Sequence, residues 1–236
     1  MSFASRAGAR IPHTEESDPF FDDVVLLLIG DSLIDRSPLA HTLINTGVQV
    51  VSDKALFGST SIYFDGASWL EFASHVGLNM SNGDWTVEAW AWFQPTSAAW
   101  GGIVAGKTRA PDAGAVLRQS AETLVVSGPS YADRGTSGGT VPSGQWVFLV
   151  AERNGSNTIL AVDGHILVDS PDLISGHVFD LGNGGTTIGY SDVGFGSVPA
   201  GSNQFMTAWI DGLRVTKGRA RYIADFTPPT TPFPPR

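Results

Sequence analysis

The sequence predicts an all-β fold, a two-sheet antiparallel sandwich. Apolar residues occur in short runs or in strict alternation, as in Trp85–Phe93. Turn pairs that tolerate left-handed backbone angles, such as Asn154-Gly155 and Asp163-Gly164, separate these runs. No window of a dozen residues shows sustained helical periodicity. Many short strands with turn signals between them favour a sandwich over an α/β fold.

The predicted strands follow one another along most of the chain. In Trp85–Phe93 the side chains of Trp85, Val87 and Phe93 point to one face, and those of Glu88 and Trp92 point to the other. We assign the strand tryptophans, Trp85, Trp90, Trp92, Trp146 and Trp209, mostly to the core. A single helical turn is expected over His75–Met80. In chain order the predicted strands are Val24–Ile29, Ser61–Phe64, Trp69–Phe72, Trp85–Phe93, Gly102–Ala105, Ala115–Arg118, Thr123–Ser127, Trp146–Arg153, Thr158–Val162, His165–Val168, Thr186–Tyr190 and Met206–Val215.

The chain divides into an arm, one folded module and a tail. Residues 1–19 are polar and aperiodic, with Arg6 and Arg10 early in the segment. They form either a flexible arm or a docking arm that orders against a neighbouring subunit. Residues 20–226 form the sandwich. Residues 227–236 are rich in proline, which lacks the backbone donor, so we expect an extended strap on the surface.

Composition excludes several classes of protein. The 236 residues include no cysteine, so disulfides and thiolate metal sites are excluded. A net charge of −9 with 16% charged residues argues against a nucleic-acid partner, whose phosphates need Lys and Arg. No apolar run approaches the ~20 residues of a membrane span. We see no signal peptide at the N-terminus, so we expect assembly in the cytoplasm of the producing cell.

The sequence allows two interpretations of three aspartates, as calcium ligands or as hydrogen-bond acceptors in turns and loops. Asp31, Asp35 and Asp211 are hard oxygen donors, and they converge if the first and last strands lie side by side. Alternatively, Asp35 caps a turn with Ser37, and Asp211 orients Arg214 or a loop amide. No Asp-X-Asp-X-Asp loop is present, so we predict no metal site and no cofactor.

Aromatic and basic residues outside the predicted core are the candidate contact residues. Trp100, Tyr131, Tyr190 and Phe195 fall in loops or at strand ends, where they either line a glycan site or plug the edge of the sandwich. Near the C-terminus a basic cluster either meets an acidic neighbour in an assembly or is a solvated strand end. Its members are Arg214, Lys217, Arg219 and Arg221.

The order of several motifs resembles the laminin-G-like, concanavalin A-like jelly rolls of tailed-bacteriophage virion proteins. The closing string Arg-Val-Thr-Lys-Gly-X-Ala-Arg-Tyr is the most specific of them. The sequence departs from the family pattern at Gly212, where an acidic residue is common, and at Ile29-Gly-Asp31. The motifs are Phe20–Leu28, Phe57–Gly66, Trp69–Phe72, Asp84–Trp90, Gly144–Ala151, Ala161–Gly164, Trp209–Tyr222 and Phe226–Pro229.

The absence of the carboxylate motif of related glucanases leads us to expect a non-enzymatic role. Glucanases of this fold carry their two carboxylates in a Glu-X-Asp-X-X-Glu string, which this chain lacks, and Glu71, Glu88, Glu122 and Glu152 are scattered. We therefore expect a structural and interaction protein on the virion surface, either decorating the capsid or belonging to the tail or fibre. Its partners are then other virion proteins in a multi-copy assembly. The alternative is a carbohydrate-binding adsorption module that recognises glycans of the host surface.

Overall fold

The structure is a computed structural model of a β-sandwich. It describes residues 17–80, 83–95, 100–107, 115–119, 123–127, 135–138, 140–171, 179–182, 184–191 and 204–234. Two short 3-10 helices, Phe21–Asp23 and Val76–Leu78, accompany the strands. The strands are β1 (Val24–Leu28), β2 (Ile44–Thr46), β3 (Gln49–Val51), β4 (Ser61–Asp65), β5 (Trp69–Phe72), β6 (Trp85–Phe93), β7 (Trp100–Gly106), β8 (Ala115–Gln119), β9 (Thr123–Ser127), β10 (Gly135–Gly138), β11 (Trp146–Asn154), β12 (Asn157–Val162), β13 (His165–Pro171), β14 (Thr186–Ile188), β15 (Tyr190–Ser191), β16 (Gln204–Phe205) and β17 (Thr207–Lys217).

Two antiparallel sheets face each other across the core. The larger sheet has the order β13-β12-β11-β6-β17-β4-β3, and β1 pairs with the second half of β17. The smaller sheet has the order β10-β9-β8-β7-β14-β5-β2. Alternate residues of each strand point inward, so that Val87 and Ala89 of β6 join Leu70 and Phe72 of β5 in one continuous apolar cluster. The predicted all-β antiparallel sandwich is confirmed.

The strands predicted from alternation and turn pairs are present with small changes of boundary. Trp69–Phe72, Trp85–Phe93 and Thr123–Ser127 have the predicted limits. The predicted helical turn is the 3-10 helix Val76–Leu78 within His75–Met80. Strands β2, β3 and β10 were not predicted, because each is short and lies at or near a sheet edge, where burial imposes little pattern.

A tight hairpin between β12 and β13 shows why the turn pairs are informative. Asp163 and Gly164 both adopt positive φ, 49° and 84°, as the central residues of a type I′ turn require. The Asp163 carboxylate also accepts the backbone N–H of Phe148 at 2.8 Å. A Cβ on Gly164 would collide with the Phe226 carbonyl, so glycine also permits the C-terminal segment to lie against this hairpin.

Both ends of the described chain pack on the outer face of the larger sheet, where they cover about one half of the length of strands β6, β11 and β17. Val24 and Leu27 of β1, Phe148 of β11 and Phe233 of the C-terminal segment form a second buried apolar cluster there. The Phe233 ring lies against Gly212, where an added Cβ would approach it to 3.1 Å. The proline-rich segment therefore runs across the sheet and is held by an inserted aromatic side chain.

The described residues include no helix of the length and apolarity needed to cross a bilayer.

Candidate functional site

The uncovered half of the same outer face carries a row of aromatic side chains. Cross-strand pairing places Tyr63 of β4 opposite Trp209 of β17, Trp209 opposite Trp92 of β6, and Trp92 opposite Trp146 of β11. Because neighbouring residues of a strand point to opposite faces, the inward positions beside this row are taken by the core residues Ala208 and Ile210. The row follows from strand register.

The rings of the row contact one another in stacked and edge-on geometries. The centroids of Tyr63 and Trp209 are 4.5 Å apart with an interplanar angle of 29°. Trp92 and Trp146 meet edge to face at 6.1 Å and 77°. Tyr63, Trp92 and Trp146 are half-buried, whereas Trp209 is 6% exposed. Aromatic surface that remains open to solvent on a sheet face is typical of a contact surface.

A groove of about 550 Å³ opens at the end of this row, along the edge strand β3. Its apolar floor is formed by Tyr63 and Trp209, and its rim carries an amide, two hydroxyls and a carboxylate. Asp53 supplies the carboxylate, and its Oδ1 accepts the Trp209 indole N–H at 3.0 Å. The lining residues are Gln49, Val50, Val51, Ser52, Asp53, Thr60, Tyr63 and Trp209.

The loop between β3 and β4 brings a cation onto the aromatic row. The Lys54 ammonium lies 4.1 Å from the centroid of Trp209 and 5.6 Å from that of Trp92. It also lies 3.8 Å from the Asp53 carboxylate, which is 58% exposed. The Lys54 carbonyl accepts a hydrogen bond from the Ser61 hydroxyl. Tyr63 and Lys54 thus cover much of the Trp209 ring, which accounts for its low exposure.

Asp211 fixes the far end of this loop. Its carboxylate accepts the backbone N–H groups of Leu56 at 2.6 Å and Phe57 at 2.7 Å. Burial raises the pKa of Asp211, and the nearby Asp31 charge raises it further. The two backbone hydrogen bonds lower this pKa, but the net change is an increase. Of the two roles considered from sequence, Asp211 takes the second, because it orients loop amides.

The other two acids considered for calcium have separate partners. Asp31 pairs with Arg36 at 2.9 Å. Asp35 accepts the backbone N–H groups of Leu27, Ser37 and His41 and the Ser37 hydroxyl, which is the turn cap considered from sequence. Among the described residues no three His, Asp or Glu side chains are grouped to hold a metal ion.

A buried ion network lies on the covered half of the face. Arg214 donates to Glu88 at 2.7 Å and to Asp18 at 2.8 Å. Arg221 donates to Asp18 at 2.9 Å, and the Tyr222 hydroxyl donates to Glu88 at 2.5 Å. Burial and the adjacent Glu88 charge raise the pKa of Tyr222, so this hydroxyl stays protonated as the donor. Burial opposes ionisation of Asp18, but its bonds to Arg221 and Phe20 and the arginine charges lower its pKa overall.

Glu152 adds a third buried carboxylate beside this network. It accepts the Thr86 hydroxyl at 2.9 Å and the backbone N–H groups of Arg221 and Tyr222. Burial raises the pKa of Glu152 despite these bonds. Glu88 and Glu152 are both fully buried, so neither faces the groove.

The structure divides the predicted basic cluster. Arg214 and Arg221 were expected at the surface, but their guanidinium groups are buried in the ion network, because Asp18 and Glu88 require partners inside the fold. Arg219 pairs with Asp23 at 2.5 Å, and the Lys217 ammonium contacts the Val76 carbonyl. Lys217 and Arg219 therefore stay candidates for an assembly contact. Arg6 and Arg10 lie outside the described residues.

A second aromatic cluster lies between β5 of the smaller sheet and a separate two-stranded sheet formed by β15 and β16. It joins Trp69, Tyr190 and Phe205, with Tyr190 and Phe205 4.7 Å apart. Glu71 accepts the Trp69 indole N–H at 3.1 Å and pairs with Lys107 at 2.9 Å. Of the aromatic residues predicted for ligand binding, Tyr190 is in this cluster. The Trp100 side chain and all of Tyr131 and Phe195 lie outside the described residues.

Most of the aromatic row was assigned to the core from sequence. Of the five tryptophans so assigned, all of them described by the structure, only Trp85 belongs to the central core, where it stacks on Phe179 at 4.2 Å. The alternation in β6 already set Trp92 opposite to Trp85, and this signal identifies the outward face. The neighbours of Trp92 on the adjacent strands could not be identified from sequence, because the sequence of one strand does not determine its register with the next.

Comparisons with known proteins agree with the geometry of the fold. A family model described as Concanavalin A-like lectin/glucanases superfamily (Laminin_G_3) matches residues 55–221. No curated protein matches the chain. The binding domain of Paraclostridial Mosquitocidal Protein 1 is similar in structure, with a TM-score of 0.61 and 14% identity over 86% of this chain and 51% of that one.

Two further solved structures share the fold. Domain 4 of AbnA, a GH43 extracellular arabinanase from Geobacillus stearothermophilus in complex with arabinotriose, has a TM-score of 0.56 and 15% identity over 83% of this chain and 93% of that one. The binding domain of botulinum neurotoxin DC in complex with SialylT has a TM-score of 0.59 and 12% identity over 85% of this chain and 50% of that one. This chain thus spans about half the length of the two toxin domains.

At such identities the solved structures show a shared fold, while the family model covers more than half of the sequence. The chain therefore belongs to the Laminin_G_3 family of the concanavalin A-like lectin/glucanases superfamily.

Proposed function

We propose that this chain is a non-enzymatic binding module that recognises carbohydrate at the groove beside β3. The observation that carries the proposal is the Tyr63–Trp209 stack at the floor of an open groove with a polar rim. The apolar C–H face of a sugar ring packs on an aromatic ring, whose face is electron-rich. Amide, hydroxyl and carboxylate groups on the rim then bind the sugar hydroxyls.

Among the residues that the structure describes, the groove has a single acidic side chain, which supports binding of a glycan without its hydrolysis. Glycosidases need two carboxyl groups about 5–10 Å apart across the scissile bond. Among the described lining residues Asp53 is the one acid, and it is engaged by the Trp209 indole N–H. Two of the similar structures are complexes with SialylT and with arabinotriose, which is consistent with a glycan ligand for this fold.

A polysaccharide pull-down followed by titration tests the proposal. Tyr63→Ala removes the exposed ring of the groove and is expected to lower glycan affinity at least tenfold, equivalent to about 1.4 kcal/mol. Tyr190→Ala changes a half-buried tyrosine of the separate β15-β16 sheet; it is the matched control and should keep the affinity. If the wild type binds glycan, Tyr63→Ala still binds it and Tyr190→Ala does not, the site is at the second aromatic cluster and the proposal is wrong. No cofactor enters the proposal, so chelation of calcium should leave binding unchanged.

We further propose that the module acts on the surface of a tailed-bacteriophage virion and is assembled in the host cytoplasm. The closing string from Arg214 to Tyr222 supports this setting, and its residues form the end of β17 and part of the ion network. Deletion of residues 1–16 should abolish incorporation into particles. The truncated chain still contains Asp18, so the ion network is preserved. Mass spectrometry of purified virion subassemblies measures incorporation and location, and normal incorporation of the truncated chain would refute docking by the arm.

A further inference from the structure

The Lys54 ammonium occupies an aromatic cage beside the groove, and the cage and the groove share Trp209 and Asp53. It lies over two indole rings, Trp209 and Trp92, and beside the carboxylate of Asp53. The cage wall is held in place, because Tyr63 stacks on Trp209 and Asp53 accepts the Trp209 indole N–H. Aromatic faces combined with one carboxylate are the groups that bind an alkylammonium ion in water.

Lys54 is kept in this cage by its cation–π contacts and by a weak ion pair. Its ion pair with Asp53 is long, 3.8 Å, and the Asp53 side chain is 58% exposed. A lysine side chain also loses rotamer entropy when it is held in one geometry. By contrast, the lysine backbone is anchored independently, through the Ser61 hydroxyl on the Lys54 carbonyl and through Asp211 on the next residues. The ammonium can therefore leave the cage while the loop stays in place.

We propose that the cage receives an alkylammonium group of the ligand, which displaces the Lys54 ammonium. This inference rests on the proposed function, since it names the ligand class of the same groove: glycans that bear positively charged nitrogen. Two sources share this chemistry, a choline substituent and an N-deacetylated amino sugar. Departure of Lys54 leaves the Asp53 carboxylate without its cation, and the incoming ammonium restores the charge balance.

Choline chloride is the probe that tests the cage without a glycan. The Trp209 indole N–H signal, identified in the NMR spectrum through Trp209→Phe, reports on the cage, because this group donates to Asp53. Lys54→Met removes the internal competitor but keeps an unbranched side chain, and it is expected to bind choline at least tenfold more tightly than wild type. Asp53→Asn added to Lys54→Met should reverse the gain. The neutral isostere 3,3-dimethylbutan-1-ol should not shift the signal.

Two results would overturn the inference. One is equal choline affinity of wild type, Lys54→Met and a second variant, Lys54→Gln, each shown to be folded by circular dichroism. The other is equal binding of choline and its neutral isostere, which would mean that the cage recognises shape without charge.

Oligosaccharides separate this inference from the proposed function. Tighter binding of glucosamine oligomers than of their N-acetylated forms identifies the amino sugar as the source, and preference for choline identifies the substituent. Equal binding of both oligomers, abolished by Tyr63→Ala, supports the groove as a glycan site and contradicts the ammonium. Choline binding by Lys54→Met without binding of any polysaccharide supports the cage and contradicts the glycan proposal.

Discussion

Arg214 lies at the centre of the buried ion network and joins residues from three parts of the chain. Its guanidinium bonds Glu88 of β6 and Asp18 of the N-terminal segment, and the Phe233 ring covers it at 4.3 Å. A charge withdrawn from water needs a partner, because an unpaired buried ion is far more costly than an exposed one. The charge on Arg214 therefore compensates two carboxylates that would otherwise be strongly destabilising.

Arg214→Met is expected to lower the free energy of unfolding by about 3–5 kcal/mol, the usual cost of breaking a buried pair. Glu88 keeps the Tyr222 hydroxyl, but the closest cation left to it is Arg221 at 3.6 Å. Urea unfolding measures the change. Arg219→Met is the matched control, because the Arg219–Asp23 pair is exposed and should contribute only about 0–1 kcal/mol. Equal losses in the two variants would contradict a special role for the buried network.

Glu152 is expected to make stability depend on pH in a defined direction. Burial raises its pKa in the folded state above the unfolded value, so folding favours the protonated form. Its contribution is fully present below the unfolded pKa and is lost as the pH rises through the folded pKa. The wild type should therefore gain stability relative to Glu152→Gln as the pH falls from 7 to about 4.5, by about 1.4 kcal/mol for each pH unit that separates the folded pKa from the unfolded one.

Urea midpoints of both proteins, measured across this pH range, give the difference directly. Other titrating groups, including His41, are common to both chains and cancel in the comparison. A difference that stays constant from pH 7 to about 4.5 would contradict the raised pKa of Glu152.

At the scale of elements, the proline-rich segment is held to the sheet by a side chain. Phe233 is 3% exposed, and its ring lies 6.3 Å from Phe148 and over Arg214. Phe233→Ala is expected to cost about 3 kcal/mol of stability, since it removes a buried aromatic and exposes the ion network. Ile223→Ala, at a 67% exposed position shortly before that segment, is the control and should change stability by less than about 0.5 kcal/mol. Thermal unfolding compares the two, and a small effect at Phe233 would show that the segment is held by other contacts.

Strands were predictable where one face is buried and turn residues bound the run. β6 and β5 have both properties, and their predicted limits match the structure. β3 is bounded by turn residues but has no buried face, because its three residues Gln49–Val51 lie at a sheet edge and none is fully buried. An edge strand is specified by its partner, here β4, and its own sequence carries little of that information.

The candidate site was less predictable than the fold. Tyr190 was recognised as a surface aromatic, but its partners Trp69 and Phe205 come from distant strands. The row from Tyr63 to Trp146 depends on the register of strands far apart in the sequence. In the same way the basic residues near the C-terminus looked like one patch, because their buried partner Asp18 lies 196 residues from Arg214.

At the scale of the whole molecule, both ends of the described chain complete the same sheet. β17 lies between β6 and β4 and also pairs with β1, so that one strand joins early, middle and late segments. Contacts over such sequence distances form late in folding, because the loop entropy must be lost before the contact is gained. The larger sheet therefore cannot close until β17 is available.

A chain that ends at residue 203 is expected to lack a cooperative fold. It loses β17, whose side chains from Ala208 to Thr216 are buried, and β6 and β4 then lose their common neighbour. A chain that ends at residue 226 is the control: it keeps β17, Arg221 and Tyr222 and loses Phe233, so it should fold with reduced stability. Near-UV circular dichroism and limited proteolysis distinguish the two. Cooperative unfolding of the 203-residue chain would show that the sandwich closes without β17 and would contradict this prediction.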